Sequence, residues 1–534
     1  MAFKTNDYQQ LTLNDNFINL TPRTQKIVMN SWCKDFSDIV FGKINEERFS
    51  VLYSDHAFSR PNTPVNIIIG ALILKEINGL SDDELIEAIC CDIRYQYALH
   101  TTHLKEQPVS DRTFSRFRER LYNYELETGI NLMEEEMKHL TSVFADYMNL
   151  KSNIKRMDSL MIASNCKRMS RLEILYKVTS NAVMLLHNSG NDHLIGENLK
   201  HYLDEEDYND VIYYCKNEDV KTRLERIIKE AYEVKEIMSD EEWENFSEYM
   251  LLVRVLTEQT NEDKTPKANN EISSTSLQNP SDPDATYRTK AGKSHKGYVG
   301  NIVETVGENG DSLITEMEYE QNIHSDSEFC KEYIENKDND EAEILITDGA
   351  YGGKENIERA KEKNIELITT SLTGKETNKI FGEFEISEDG KKILKCPMGY
   401  EPIKTTHYPK TKMNRALFSK SCCEKCPHRE ECNVKAQKKN YAVHVSKSMV
   451  DRARYMDKLN TEEYKQLTRQ RNAIEGIPSV LRRKYNIDNI PTFGLLRTRV
   501  FFIFKIGAYN FKKLTKYVKR VLPRGKSTQN LKFA

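Results

Sequence analysis

The feature that most constrains the fold of this chain is a strand-like segment followed by a long helical stretch. Between Ile154 and Ala163, successive residues alternate between two faces, a period typical of a β-strand that projects Asp158 from one face. Over about a hundred following residues, apolar residues recur at helical spacing, as in Arg171–His187 and Val220–Ile237. A sheet that starts with this strand therefore carries a helical insert before its next strand.

Strand patterns return beyond Thr260–Glu271, a polar segment whose composition predicts a linker. Two alternating segments flank an Asn-Gly pair and predict a β-hairpin. The expected elements are hairpin strands at 296–304 and 312–319, a strand at 344–348, a helix at 354–363 and a strand at 365–370. The order strand, insert, hairpin, strand, helix, strand predicts an α/β protein with a mixed sheet.

The chain is long enough for three or four folding units, since 38% of its 534 residues are hydrophobic. Residues 1–145 have the pattern of an all-helical domain. Ser81 and Glu84 match a capping box and predict a helix start.

A second helix in this domain is predicted to start at Ser110, whose hydroxyl could cap it. Arg112 and Arg116 lie outside its apolar face, which is formed by Phe114, Phe117 and Leu121. Such a basic-faced helix could enter a DNA groove. An ordinary amphipathic surface helix has the same pattern, so both interpretations stay open.

The net charge of −4 conceals an uneven distribution of charge. From Leu467 to Lys526 there are fifteen Lys and Arg residues and only two acids, Glu475 and Asp488. This composition predicts a polyanion-binding region. The alternative is a positively charged helical surface without a partner.

Hydropathy and cysteine usage predict a cytoplasmic protein. The apolar run Val500–Phe504 is ended by Lys505, far short of the roughly 20 residues that cross a bilayer. The polar opening of the sequence predicts that no signal peptide precedes the chain. We therefore expect its eleven cysteines to be reduced, and closely spaced ones to favour metal over disulfides.

Three carboxylates have the placement that metal-assisted phosphodiester chemistry requires. Asp158 is on the opening strand, Asp348 ends a later strand, and Glu475 is predicted on a closing helix. Mg²⁺ takes few protein ligands and prefers oxygen, so two Asp and one Glu suffice for a two-metal site. Each acid alone is a weak signal among 82 Asp and Glu residues.

A cysteine cluster is the second chemical feature. Cys396, Cys423, Cys426 and Cys432 offer four thiolates, enough for a tetrahedral structural zinc site, with Cys422 and His428 as competing ligands. Free thiols are the alternative. The segment that carries them, Phe381–Tyr441, separates the last predicted strand from the predicted glutamate helix.

The blocks around the three acids, Lys155-Arg-Met-Asp158-Ser, Thr347-Asp348-Gly-Ala-Tyr and Arg471-Asn-Ala-Ile-Glu475-Gly, resemble those of bacterial insertion-sequence DDE transposases with an RNase H-like core. Further stretches are similar to the same family. They are Asp55–Pro61, Val109–Arg118, Asp282–Ala285 with Lys296-Gly-Tyr, and Leu495–Leu514. The chain most resembles the eleven-eighty-two group of insertion sequences.

The resemblance implies an RNase H-like mixed sheet flanked by helices and interrupted by two inserts. The expected domains are a DNA-binding helical domain at 1–145, a catalytic core at 146–166, 284–372 and 455–520, a helical insert with linker at 167–283, a Cys-rich insertion at 373–454 and a basic tail at 521–534.

The resemblance also implies roles for basic residues near the glutamate. Arg471 and Arg482 would grip DNA phosphates, with Arg482 at a position where relatives have lysine. Thr468 stands at a tyrosine position and cannot stack as that residue would. The stretch Gly476–Pro478 is expected to bend the glutamate helix, because proline removes a backbone hydrogen bond.

The implied activity is cut-and-paste transposition. The protein would bind terminal inverted repeats as a homodimer, cleave the strands and join the freed 3′ ends to target DNA. Two Mg²⁺ ions would be held by Asp158, Asp348 and Glu475. A metal-dependent DNA nuclease without strand transfer, and a non-catalytic DNA-binding protein derived from a transposase, are the alternatives.

Overall fold

The structure is a computed structural model that describes residues 1–6, 15–54, 60–214, 219–290, 292–338, 341–369 and 377–521. The predicted motif at 55–59, Cys215 and the basic tail beyond Val521 lie outside these residues. The chain forms two compact units. The first unit comprises Met1–Leu345, Arg359–Glu366 and Gly476–Ala534, and the second comprises Ile346–Glu358 and Leu367–Glu475.

The N-terminal part of the first unit is helical, as predicted. Its helices are α1 (Pro22–Met29), α2 (Trp32–Asp35), α3 (Val65–Asn78), α4 (Asp82–Cys91), α5 (Ile93–Ala98), α6 (Thr113–Thr128) and α7 (Leu132–Tyr147). The predicted capping box is confirmed, because Ser81 and Glu84 bond each other's backbone N–H at the start of α4. The cap predicted at Ser110 is wrong: α6 begins after Arg112, which makes no side-chain cap.

The opening strand β1 (Ile154–Ala163) is followed by the predicted helical insert. Its helices are α8 (Arg171–Asn188), α9 (Asp207–Asn209), α10 (Val220–Ile237) and α11 (Ser247–Gln259). The predicted linker is not a free segment: Thr260 is buried, and the Arg171 guanidinium donates to the carbonyl oxygens of Gln259 and Lys267. These bonds fasten the polar stretch to the insert.

A six-stranded sheet combines β1 with five strands that follow the insert in sequence. The remaining elements are β2 (Thr286–Lys290), β3 (Lys293–Val306), β4 (Ser312–Gln321), α12 (Asp326–Glu335), β5 (Glu343–Thr347), α13 (Lys354–Glu362) and β6 (Ile365–Thr369). The strand order is β2-β3-β1-β5-β6, with β4 also pairing β3. The predicted α/β class and mixed sheet are confirmed. Strand β2 and helix α12 were not predicted.

The second unit is built around a smaller sheet. Its elements are β7 (Glu385–Ile386), β8 (Ile393–Lys395), β9 (Lys404–Tyr408), β10 (Met413–Ser419), α14 (Lys420–Glu424), β11 (Lys435–Ala436), β12 (Asn440–Ser446), α15 (Lys447–Leu459) and α16 (Glu462–Asn472). Strands β11-β12-β10-β9 form the sheet, and β7-β8 form a hairpin. Phe384, Phe418 and Val443 belong to its core, together with Cys432.

Helices α17 (Gly476–Tyr485) and α18 (Leu495–Val521) complete the first unit. Helix α18 packs against α3, α7 and β4. The Asn510 side chain bonds the backbone N–H and C=O of Ile314, and a Cβ at Gly300 would lie 2.7 Å from the Phe502 ring. This close approach requires glycine on β3. Among the described residues, no helix is long and apolar enough to span a membrane.

Candidate functional site

Asp348 directly follows β5, as predicted. Its carboxylate Oδ1 accepts a hydrogen bond from the backbone N–H of Ala350 at 2.7 Å, so the carboxylate shapes its own turn. Two residues further on, a Cβ at Gly352 would lie 2.3 Å from Cγ2 of Thr369, so this turn needs glycine to pack on the end of β6. About a third of the Asp348 side chain is exposed.

Glu475 lies in a three-residue turn between α16 and α17, so its predicted place inside a helix is wrong. The predicted bend at Gly476–Pro478 is confirmed, but it takes the form of a break before Gly476. Pro478 has no N–H to donate to the carbonyl of Ile474, so a continuous helix would lose a bond there. In the first turn of α17 a backbone N–H would have no partner within the helix, so proline loses no hydrogen bond there. The turn is anchored by Ile474, which is fully buried.

Arg471 lies between two of the predicted metal-binding acids, Asp348 and Glu475, which both belong to the second unit. Its Nη1 donates to Glu475 Oε1 at 2.6 Å, and its Nη2 lies 3.8 Å from Asp348 Oδ2. The Arg471 side chain is only 13% exposed, whereas Glu475 is 56% exposed. A largely buried guanidinium needs anionic partners, and these two carboxylates supply them.

Asp158 lies on β1 in the first unit, opposite Ile302 of β3. Its Oδ1 accepts from the backbone N–H of Ser159 at 3.0 Å. The Ser159 hydroxyl in turn donates to Asp326 at 2.8 Å, and Lys290 lies 3.2 Å from the same buried carboxylate. This pairing of the buried Asp326 with Lys290 was missed, because nothing in the local sequence of Asp326 distinguishes it from a helix-start residue.

Arg482 is hydrogen-bonded to β1, the strand that carries Asp158. Its Nη2 donates to the carbonyl oxygen of Met161 at 2.7 Å, and its Nε donates to Asp488 at 3.0 Å. Burial and nearby cations lower the pKa of His295 on β3, and Arg482 is the first of these cations. The others are Arg168, Lys290 and Lys293. A basic cluster therefore surrounds the β2–β3 hairpin, which sequence reasoning did not find.

Arg112 and Arg116 are exposed at the start of α6, as predicted, while the opposite apolar face is buried. The two neighbouring arginines of this helix are engaged in structural contacts. Arg118 pairs with Asp82, and Arg120 stacks over Tyr53. DNA contact by Arg112 and Arg116 stays a prediction.

The four predicted zinc ligands line one cavity of the second unit, together with Cys422 and His428. Burial, and next the neighbouring thiols, raise the pKa of Cys423 to about 11 and that of Cys432 to about 12. Cys396 opens a turn in which Gly399 adopts a φ of +78° and donates to the Cys396 carbonyl. The described cysteines form no disulfide.

Neither set of predicted ligands forms a complete coordination shell with its side chains as they stand. Within the described ranges, no three or more His, Cys, Asp or Glu side chains are arranged to hold a metal ion. The magnesium and zinc assignments therefore stay predictions.

Two family models match the chain. Residues 395–515 match a family described as Transposase DDE domain, and residues 24–120 match one described as Transposase domain (DUF772). The first match includes Arg471, Glu475 and Arg482, and the second includes Arg112 and Arg116. Asp158 and Asp348 lie outside both.

No curated protein and no solved structure matches the chain. The eleven-eighty-two group stays a prediction, because the family models do not distinguish groups of insertion sequences. The two matches lie in the order that the resemblance implies, with a transposase domain near the N-terminus and a DDE domain toward the C-terminus. The chain therefore carries two segments similar to transposase domains, which is consistent with an insertion-sequence DDE transposase.

Proposed function

We propose that this protein is the transposase of an insertion sequence, which binds terminal inverted repeats, cleaves the DNA strands and joins the 3′ ends to target DNA. The observation that carries the proposal is Arg471, which draws Asp348 and Glu475 together although they are far apart in sequence. These are the second and third acids of the DDE set. The two transposase-family matches supply the chemical context.

Asp158, Asp348 and Glu475 fit the role of magnesium ligands by their donor chemistry. Mg²⁺ prefers carboxylate oxygens and needs few of them from the protein. The guanidinium between Asp348 and Glu475 supports this role, because it identifies a position where the chain already stabilises positive charge. When bound, the two ions neutralise the scissile phosphate and activate the attacking oxygen.

The chain's own residues would position the DNA around this chemistry. Arg471 and Arg482 present planar guanidinium groups that match phosphate geometry. Arg482 is 41% exposed, and its bonds to Asp488 and Met161 hold it beside the strand that carries Asp158. We propose that both arginines contact phosphates near the cleaved bond.

The strand order supports an RNase H-like core. An opening strand, a hairpin and a strand–helix–strand unit follow one another, and β1 lies between β3 and β5 in the sheet. Asp158 is on the central strand β1, and Asp348 follows its neighbour β5. This topology is what the DDE resemblance implies for a catalytic core.

We further propose a structural zinc ion in the Cys-rich insertion, held by Cys396, Cys423, Cys426 and Cys432. Their shared cavity supports the assignment, since neighbouring thiols contribute to the raised pKa of Cys423 and of Cys432 only when they lie close by. Thiolate ligation would remove that repulsion. A homodimer on DNA is also proposed, because transposition requires two element ends to be held together.

The proposal is tested with a plasmid that carries the DNA flanking this coding region, incubated with purified protein and Mg²⁺. A transposase releases the element and yields joined products with unrelated target DNA. Cleavage without joined products would instead identify a nuclease. Binding without cleavage would identify a non-catalytic DNA-binding protein.

A further inference from the structure

The four-stranded sheet of the second unit has one buried face and one partly exposed face. On the buried face, Ala416 pairs with Val443 and Asn414 pairs with Val445, and all four are buried. Successive residues of a strand point to opposite sides, so the residues between them form the other face. We call this side, defined by Lys404, Thr406, Arg415, Lys435 and His444, the outer face.

The register of the strands fixes the layout of the outer face. One row crosses the sheet from Lys435 through Ala442 and Leu417 to Lys404, which places a lysine on each edge strand. The strand spacing puts these edge positions roughly 14 Å apart. The next row contains Arg415, flanked by Thr406 and His444.

The segment that forms this sheet is strongly basic, whereas the whole chain is acidic. Between Lys404 and Lys447 there are eleven Lys and Arg residues and three acids, and the chain as a whole has a net charge of −4. This charge was not singled out by the sequence interpretation, which placed the basic region between Leu467 and Lys526. The sheet is therefore a second, separate concentration of positive charge.

No carboxylate among the described residues neutralises the cations of the outer face. Lys404 and Lys435 are exposed and Arg415 is half-buried, and none of the three forms an ion pair with any residue that the structure describes. Lysines elsewhere in the chain commonly pair with a carboxylate, as Lys155 does with Glu343 at 2.9 Å. The unpaired cations also affect His444, whose pKa is lowered by burial and then by Lys435 and Arg415.

From this geometry we propose that the outer face is a DNA-binding surface that contacts the phosphate backbone of duplex DNA independently of sequence. A sheet face with cations on three strands suits a polyanion of regular charge spacing. Thr406 adds a hydroxyl donor of the kind that also contacts phosphates. The inference deepens the proposed function and rests on it, because it takes DNA as the partner.

The test measures binding of the full-length protein to a fluorescent duplex of unrelated sequence by anisotropy over a series of salt concentrations. The test variant is Arg415→Gln with Lys435→Gln. Removing two phosphate contacts should lower the slope of log affinity against log salt by about two units and weaken binding by roughly tenfold or more at low salt. Lys404→Gln, on the opposite edge strand, should lower the slope by about one unit.

The matched control is Lys200→Gln with Lys221→Gln, which makes the same change in net charge on the exposed surface of the helical insert. It should leave affinity and slope at their wild-type values. The substitutions Arg415→Lys with Lys435→Arg keep the charge and should preserve binding. Equal thermal unfolding midpoints of all variants would exclude loss of structure as the cause.

Wild-type affinity and slope in the double variant would overturn the inference, as would an equal loss in the control. If the outer face instead bound an acidic protein, the double variant would keep wild-type affinity and slope for DNA. The proposed function is judged separately by cleavage and joining with wild-type protein. Cleavage with an unaffected double variant would reject the outer face alone, and absence of cleavage would reject the proposed function alone.

Discussion

At the scale of single residues, the most informative contact is the one that Arg471 makes with Asp348 and Glu475. Two carboxylates repel each other, and a guanidinium between them offsets that repulsion. In the proposed catalytic state, metal ions would replace this internal cation at the two carboxylates, since both need negative partners. Arg471 would then be available for phosphate, the role that the resemblance implies.

Glu318 on β4 allows a prediction about pH. Burial first, and then the nearby Glu332, Glu316 and Glu134, raise its pKa to about 7. The hydrogen bond from Asn301 acts in the opposite direction and lowers the pKa. A raised pKa means that the folded state holds the proton more tightly than the unfolded state. The stabilisation is complete below about pH 4.5 and is lost as pH rises through about 7.

Glu318→Gln imitates the protonated form, so it should be more stable than wild type at about pH 8, by about 1–2 kcal/mol after allowance for partial exposure. The difference should vanish near pH 4.5. Urea unfolding across this range measures it, and Glu308→Gln in the exposed β3–β4 turn is the control. A difference that does not change with pH would refute the assignment.

At the scale of elements, the break between α16 and α17 determines where Glu475 lies. Pro478→Ala restores the N–H that can bond the Ile474 carbonyl, so helix should extend through residues 473–475. We expect slower hydrogen exchange there and a cleavage rate at least about tenfold lower, because small displacements of a catalytic group are costly. Pro409→Ala in the β9–β10 turn is the control. Wild-type cleavage by Pro478→Ala would show that the break is not needed.

Local patterns in the sequence predicted the elements that depend on local chemistry. The two-residue period located β1, the Asn-Gly pair located the β3–β4 hairpin, and Ser81 with Glu84 located the start of α4. Elements that depend on distant partners were missed. The short strands β7 to β12 have little pattern of their own, and the Asp326–Lys290 contact joins residues that only the fold brings together.

The pairing of Arg471 with Asp348 and Glu475 was likewise not foreseen, although all three residues were singled out. Sequence spacing indicates that Arg471 and Glu475 are four residues apart, but not that the Asp348 turn lies against the same guanidinium. The exposure of Arg112 and Arg116 was predictable, because it follows from the apolar face of α6.

The Cys-rich insertion carries a further prediction at this scale. Purified protein should contain about one zinc per chain, and Cys426→Ser should lose it together with local stability, because a structural zinc contributes folding free energy. Elemental analysis measures the metal, and limited proteolysis measures the stability. Cys90→Ser on the exposed side of α4 should keep the zinc. Zinc-free wild-type protein, prepared without chelators, would contradict the assignment.

At the scale of the whole molecule, the chain passes repeatedly between its two compact units. It leaves the first unit after Leu345 and returns to it for good at Gly476, immediately after Glu475. The segment matched as a transposase DDE domain includes this boundary. Both units therefore contribute sequence to the matched segment, and the three proposed metal ligands include residues of each unit.

The central claim is that Asp158, Asp348 and Glu475 form the metal-binding catalytic set. Its most direct test is Mg²⁺-dependent strand cleavage of DNA from the flanks of the coding region by Asp158→Asn, Asp348→Asn and Glu475→Gln. Each variant should cleave at least about a hundredfold more slowly, since metal ligation supplies several kcal/mol of transition-state stabilisation. Binding to the same DNA should persist, and Glu358→Gln on the exposed side of α13 should cleave normally. Wild-type cleavage by any of the three variants would contradict the account for that residue.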